Sequence, residues 1–201
     1  MLKMIFLFFA MSAYSRETDE GNWFQRHYGN KIFLGYYSSY FDDNIKLLQG
    51  GYESVLRLIT IKPNFNLLNV GIGLNGIMAF DMVEGQERPK NGRTTYGFEL
   101  NWNIRLFIIP IQKINSGVFI EGCGMSLVVY SREFPDSGII VGGAKGTHAN
   151  IGTYAGLGME YPIQNGCKGF TALRWFHVSN GKVYANNPAL NTVGIITGLQ
   201  F

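Results

Sequence analysis

A histidine and a serine stand one residue apart, as His177 and Ser179, in the segment RWFHVSN. Successive side chains of a β-strand alternate between its two faces, so this spacing would put both side chains on one face and close together. An imidazole that takes the proton of a serine hydroxyl turns a weak nucleophile into a strong one. If the segment is a strand, the spacing predicts a nucleophile and a general base for acyl transfer.

A second alternating segment, 191–201, follows this pair and ends the chain. One of its faces is apolar and carries Val193, Ile195, Leu199 and Phe201. The other face is small or polar and carries Thr192, Gly194, Gly198 and Gln200. An apolar outer face over a small or polar inner face is typical of the wall of a transmembrane barrel.

Alternation with a period of two residues recurs along the chain and predicts eight strands. They lie at 31–41, 53–62, 68–80, 96–106, 117–130, 148–161, 168–179 and 191–201. The segment 96–106 is the clearest, because one face is wholly apolar and the other carries Glu99, Asn101, Asn103 and Arg105. The segment 53–62 alternates least well.

The connections between these strands differ in length at the two ends of the predicted sheet. With the N-terminus on the periplasmic side, the short ones fall at one end, near 62–66, 110–115 and 162–168. The longer, more polar ones fall at the other end, at 42–52, 81–93, 131–147 and 180–190. Short turns opposite long loops predict an all-β, eight-stranded antiparallel transmembrane β-barrel.

A soluble, lipocalin-like barrel is the alternative, and it would turn its apolar face inward. The polar face of the predicted strands carries charged side chains such as Glu99, Arg105 and Glu160, which do not suit a dry ligand cavity. The composition also favours a membrane barrel, since charged residues make up 15% of the chain against about 25% in soluble domains.

The first fifteen residues predict a secretory signal peptide, with Lys3 before an apolar run and small residues at Ala13 and Ser15. Residues 16–201 would then form one barrel domain. A formal net charge of only +3 gives no electrostatic reason to expect nucleic acid as a partner. Cys123 and Cys167 would lie roughly 20 Å apart in this layout, too far for a disulfide, so both are predicted to be free thiols.

The segment RWFHVSNGKVYANNPALN resembles the C-terminal region of the lipid A 3-O-deacylase (PagL) family of acyloxyacyl hydrolase-like outer-membrane barrels. The similarity lies in H-x-S-N, in the downstream N-P and in the distance to the terminal Phe. It implies a serine-esterase site on the lipid-facing exterior, with Ser179 as nucleophile and His177 as base. It further implies an oxyanion region formed by Asn180, Gly181 and Asn187.

The third catalytic position departs from the family pattern. The family's acid falls fourteen residues after the histidine, and this position holds Asn191. An amide can accept a hydrogen bond from the ring and fix its tautomer, but it cannot stabilise an imidazolium by charge. Trp175, on the same face two residues before His177, is assigned to the aromatic girdle of the barrel rather than to a contact with substrate.

Together these features predict a serine esterase of a Gram-negative outer membrane that removes an ester-linked acyl chain, at the 3-O position, from lipid A. The alternative is a non-catalytic barrel, structural or lipid A-binding, with a degenerate site, and Asn191 favours it. The expected partners are lipopolysaccharide and outer-membrane lipids, and a homodimer stays open. No metal-ligand spacing, phosphate-binding loop or dinucleotide fingerprint predicts a cofactor.

Overall fold

Eight antiparallel strands close into a barrel in the computed structural model. The structure describes residues 28–39, 45–62, 65–81, 94–111, 116–134, 147–164, 166–181 and 189–201. The strands are β1 (Tyr28–Ser39), β2 (Ile45–Lys62), β3 (Phe65–Asp81), β4 (Thr95–Ile111), β5 (Ser116–Phe134), β6 (Thr147–Pro162), β7 (Lys168–Ser179) and β8 (Ala189–Gln200). Each strand pairs with the next, and β8 pairs with β1, so the predicted eight-stranded barrel is confirmed. No helix in these ranges is long and apolar enough to cross a membrane.

The predicted loop at 42–52 is wrong, because β2 already begins at Ile45. The sequence Gln49-Gly50-Gly51 looks like a turn, yet its backbone pairs with β1 throughout. Gly51 is a glycine for reasons of packing, since a Cβ at this position would come within 2.7 Å of the Phe33 ring inside the barrel. Gln49 points inward as well and accepts a hydrogen bond of 2.7 Å from the Tyr37 hydroxyl.

The short connections at 63–64, 112–115 and 163–167 lie at one end of the barrel, here called the short-turn end. The opposite end, here called the long-loop end, carries the connections at 82–94, 135–146 and 180–188. The connection at 40–44 also lies there and is shorter than expected because β2 is longer. Ser179, at the last position of β7, lies at the long-loop end.

The two faces of β4 show how the wall is oriented. Its outward apolar residues Tyr96, Phe98, Leu100, Trp102, Ile104 and Leu106 are 36–55% exposed, whereas Glu99, Asn101, Asn103 and Arg105 are at most 3% exposed. Both predicted faces are therefore confirmed. An exposed apolar exterior around a buried polar interior is the arrangement that a hydrocarbon environment stabilises.

Ion pairs fill the interior toward the short-turn end. Glu121 binds two arginines at once, with Oε2 2.9 Å from Arg105 Nη2 and Oε1 2.7 Å from Arg174 Nη2. Arg105 lies 3.5 Å from Glu160, which also pairs with Lys168 at 2.8 Å. These charges compensate one another inside the wall, as buried charges must.

A second polar cluster surrounds Glu99, nearer the long-loop end. Its carboxylate accepts hydrogen bonds from Gln49 Nε2 at 2.6 Å, Asn75 Nδ2 at 2.8 Å and Ser126 Oγ at 2.6 Å. The interior is thus occupied by side chains, as expected for a barrel of this size.

Both cysteines are free, as predicted. Cys123 is buried inside the barrel, and Cys167 is half-buried in the turn between β6 and β7. The predicted signal peptide, residues 1–15, lies outside the described residues.

Candidate active site

Two neighbouring strands, β7 and β8, carry the predicted catalytic residues His177, Ser179 and Asn191 near the long-loop end, and β6 pairs with the other edge of β7. His177 of β7 lies directly opposite Asn191 of β8 and opposite Thr153 of β6. These positions follow the outward alternation of their strands, so all three side chains belong to the exterior of the barrel.

A hydrogen bond joins the first two of these residues. Nδ1 of His177 lies 2.9 Å from Oδ1 of Asn191. With the amide oxygen facing the ring, Nδ1–H is the donor and Nε2 is left as the basic nitrogen. The sequence interval of fourteen residues becomes a direct cross-strand pair because the turn between β7 and β8 brings the two positions into register.

Ser179 shares the outward parity of His177, two residues further along β7. Two residues of a strand span about 6–7 Å, which side chains on one face can bridge. Within the described residues, no hydrogen bond joins the Ser179 hydroxyl to His177. Ser179 is only 8% exposed, so this residue is largely sheltered from bulk solvent. Hydrogen bonds between a nucleophile and its base often tighten only when substrate binds.

Trp175 lies on the same face, two residues before the histidine. Its ring stacks on the His177 imidazole, with 5.8 Å between ring centroids and 25° between ring planes. The assignment of Trp175 to the girdle did not include this contact with His177. The Trp-x-His spacing already indicated a shared face, but a shared face does not determine whether two rings touch.

The turn after Ser179 contains the predicted oxyanion residues. Gly181 has a φ of +66°, and a Cβ there would lie 2.7 Å from Ile151 Cδ1, whose residue is the β6 partner of Ser179. The backbone of Gly181 thus passes close to the outer surface beside the serine. Asn180 is the first residue after β7 and is 3% exposed. Asn187 lies outside the described residues.

β5, which pairs with the other edge of β6, contains a β-bulge beside Thr153. The register between β5 and β6 shifts between Cys123 and Ser126, and both Gly124 and Met125 are exposed on the outside. Thr153 donates a hydrogen bond of 2.6 Å to the Cys123 carbonyl at this irregularity. Thr153, the residue opposite His177, is therefore hydrogen-bonded to β5.

The acids considered as substitutes for the missing carboxylate are all inside the barrel. Glu99, Glu121 and Glu160 are at most 6% exposed and bind the interior partners described above. The wall separates them from the imidazole, so Asn191 is the residue that orients His177. Over the described part of the chain, no group of three or more His, Cys, Asp or Glu side chains could hold a metal ion.

A family model for lipid A 3-O-deacylase (PagL) matches residues 90–200, which is more than half of the chain. The chain belongs to the PagL family. The crystal structure of the outer membrane enzyme PagL superposes on this PagL-family barrel with a TM-score of 0.58 and 10% sequence identity, covering 84% of this chain and 97% of that one. This likeness shows the shared fold.

Two further solved structures are more distant. A de novo designed transmembrane β-barrel has a TM-score of 0.41 at 11% identity, covering 88% of this chain and 94% of the design. A bacterial polysaccharide outer membrane secretin has a TM-score of 0.36 at 9% identity, covering 89% of this chain and 59% of the secretin. No curated protein matches this PagL-family sequence.

Proposed function

We propose that this PagL-family barrel is an outer-membrane serine esterase that hydrolyses the 3-O-linked acyl chain of lipid A. The observation that carries the proposal is the 2.9 Å bond between His177 Nδ1 and Asn191 Oδ1 on the exterior. It leaves Nε2 as the free base on the face of the wall that carries Ser179. A lipid substrate would reach this face from within the membrane.

The reaction begins with attack of Ser179 Oγ on the ester carbonyl carbon, while the hydroxyl proton passes to His177 Nε2. Negative charge then develops on the carbonyl oxygen, where backbone N–H groups at the turn around Gly181 would stabilise it. Collapse of this intermediate breaks the bond to the sugar oxygen, which takes the proton from Nε2. The products of this half-reaction are the sugar hydroxyl and an acyl-serine.

The second half-reaction consumes one water molecule. Nε2 takes a proton from the water as its oxygen attacks the acyl-serine, and the bond to Ser179 Oγ then breaks. Oγ recovers the proton from Nε2, and the fatty acid leaves. Because each proton passes through Nε2, a fixed ring orientation matters at every step, and Asn191 supplies it.

Export would follow from the segment 1–15 acting as a signal peptide, and the apolar exterior would hold residues 16–201 in the outer membrane of a Gram-negative cell. The Asn191 amide also favours a second function, a barrel that binds lipid A without turning it over. These two functions predict different fates for the substrate.

The deciding experiment is mass spectrometry of lipid A from cells that express the chain, Ser179→Ala or Thr171→Ala. Thr171 is the matched control, since it is another exposed hydroxyl on the outward face of β7. We expect loss of one acyl chain and a free 3-hydroxyl with the wild type and Thr171→Ala, and intact lipid A with Ser179→Ala. Intact lipid A in all three strains, with the barrels folded in the outer membrane, would instead support the non-catalytic barrel.

A further inference from the structure

The stack of Trp175 on His177 places an indole face beside the ring that must carry a positive charge during catalysis. The centroid separation of 5.8 Å lies within the range in which an aromatic face attracts a cation, about 6 Å. Indole has the strongest such attraction among aromatic side chains. The contact is on the outer face of the wall, which would border lipid under the proposed function, and lipid would weaken the attraction less than water.

The other neighbour of the ring cannot supply this charge stabilisation. Asn191 accepts the Nδ1–H bond as a neutral amide. The carboxylates of Glu121 and Glu160 are inside the barrel and paired with arginines. Glu99 is also inside the barrel and accepts hydrogen bonds from neutral side chains. Each proton transfer from Ser179 would therefore create an imidazolium without an anionic partner.

We infer that Trp175 is a positioning residue that holds the His177 ring and stabilises its imidazolium, and so replaces part of what a carboxylate at position 191 would contribute. This inference rests on the proposed function. It differs from a girdle role, because a girdle residue would act on the barrel and not on the charge of the histidine.

The substitutions Trp175→Phe and Trp175→Leu separate these roles. Phenylalanine keeps an aromatic face of weaker attraction, whereas leucine keeps apolar volume and removes the face. Trp102→Leu is the matched control, because Trp102 is another exposed tryptophan on the exterior, 44% exposed on β4. The same leucine change at position 175 is also made in the Asn191→Glu background.

The kinetic readout is the initial rate of lipid A deacylation in matched detergent, over a range of substrate concentrations. We expect Trp175→Leu to lower kcat about five- to thirtyfold at little change in KM, Trp175→Phe to lose less, and Trp102→Leu to retain the wild-type rate. With Glu at 191, the loss caused by Trp175→Leu should shrink severalfold, because the carboxylate then stabilises the imidazolium. An equal loss in both backgrounds, or a change in KM alone, would overturn the inference.

A second readout does not depend on turnover. The ring-nitrogen NMR signals of His177, assigned by comparison with His177→Gln, report the imidazolium fraction at one fixed, mildly acidic pH. We expect a smaller fraction in Trp175→Leu than in the wild type and in Trp102→Leu, and equal fractions in all three would refute the inference. If no variant deacylates lipid A, the proposed function fails, and the NMR comparison still decides the role of Trp175.

Discussion

Glu121 and Arg174 form an ion pair inside the barrel, with Oε1 2.7 Å from Nη2 and both side chains 2% exposed. The same carboxylate binds Arg105 through its other oxygen. One buried anion therefore balances two guanidinium groups on different strands.

Replacing this anion should destabilise the fold without touching the site. Glu121→Gln leaves Arg105 and Arg174 facing a neutral amide, and we expect the free energy of unfolding to fall by about 3–5 kcal/mol, the usual result of breaking a buried pair. This free energy is measured by unfolding the protein with denaturant in detergent and monitoring the transition by tryptophan fluorescence. Glu133→Gln, at an exposed position of β5, should change stability by less than about 0.5 kcal/mol. Equal stability of the two variants would show that the pair contributes nothing.

The residue opposite the histidine should control the deacylation rate. In Asn191→Glu a charged acceptor would orient the ring and stabilise the imidazolium, and we expect the rate to rise about tenfold. Asn191→Ala removes the hydrogen bond to Nδ1 and should lower the rate about fivefold. The assay compares the three proteins in matched detergent. Three equal, nonzero rates would deny Asn191 a catalytic role, and three null results would favour the non-catalytic barrel.

Two glycines with positive φ allow the turn beside Ser179 to be tested. Replacing either Gly181 (φ +66°) or Gly166 (φ +79°) by alanine should lower the free energy of unfolding by about 1–2 kcal/mol, because alanine would be held in the left-handed region at both positions. Only Gly181→Ala should also slow deacylation, since its Cβ would meet Ile151, whereas the space around Gly166 is open. A normal rate in Gly181→Ala would remove this turn from the oxyanion site.

The orientation of the wall predicts opposite tolerances at two adjacent positions of β4. Leu100 is 49% exposed on the outside. Leu100→Arg should lower the stability of the folded barrel in the membrane by about 2–4 kcal/mol if that position lies near the bilayer midplane. Asn101 faces inward, and Asn101→Ser should cost less than about 1.5 kcal/mol, roughly the value of one hydrogen bond. Folded yield after refolding into lipid vesicles and denaturant titration measure both. Equal costs would contradict the assignment of the exterior.

The strands whose outward residues are all apolar could be predicted from sequence alone, as β4 demonstrates. The start of β2 could not, because Gly50 and Gly51 carry a turn signal locally, and the need for a glycine at position 51 comes from side chains on the two neighbouring strands, Phe33 of β1 and Asn75 of β3. The face of Glu121 could not be assigned either. The bulge after Cys123 shifts the alternation of β5, so that Cys123 and Ser126 both point inward although their positions differ by three, which regular alternation would put on opposite faces.

The sequence predicts on which face of its strand each site residue lies, because side chains alternate between the two faces. The spacing of His177 and Ser179 predicted a common face, whereas Asn191 entered the prediction only through the resemblance to the family, whose acid lies fourteen residues after the histidine. The contact between His177 and Asn191 depends on the register of β7 and β8, because a shift of one residue would move Asn191 to the interior. The stack of Trp175 depends on two side-chain rotamers, which alternation does not encode.

The bond between His177 and Asn191 connects β7 to β8, and β8 is the strand that seals the barrel against β1. The histidine therefore receives its orienting partner from the same strand that closes the wall. A folding intermediate in which β8 has not yet docked would carry the serine and the histidine on one strand but no acceptor for Nδ1–H. In the proposed esterase, the full rate of hydrolysis would thus require β8 to be paired with β7.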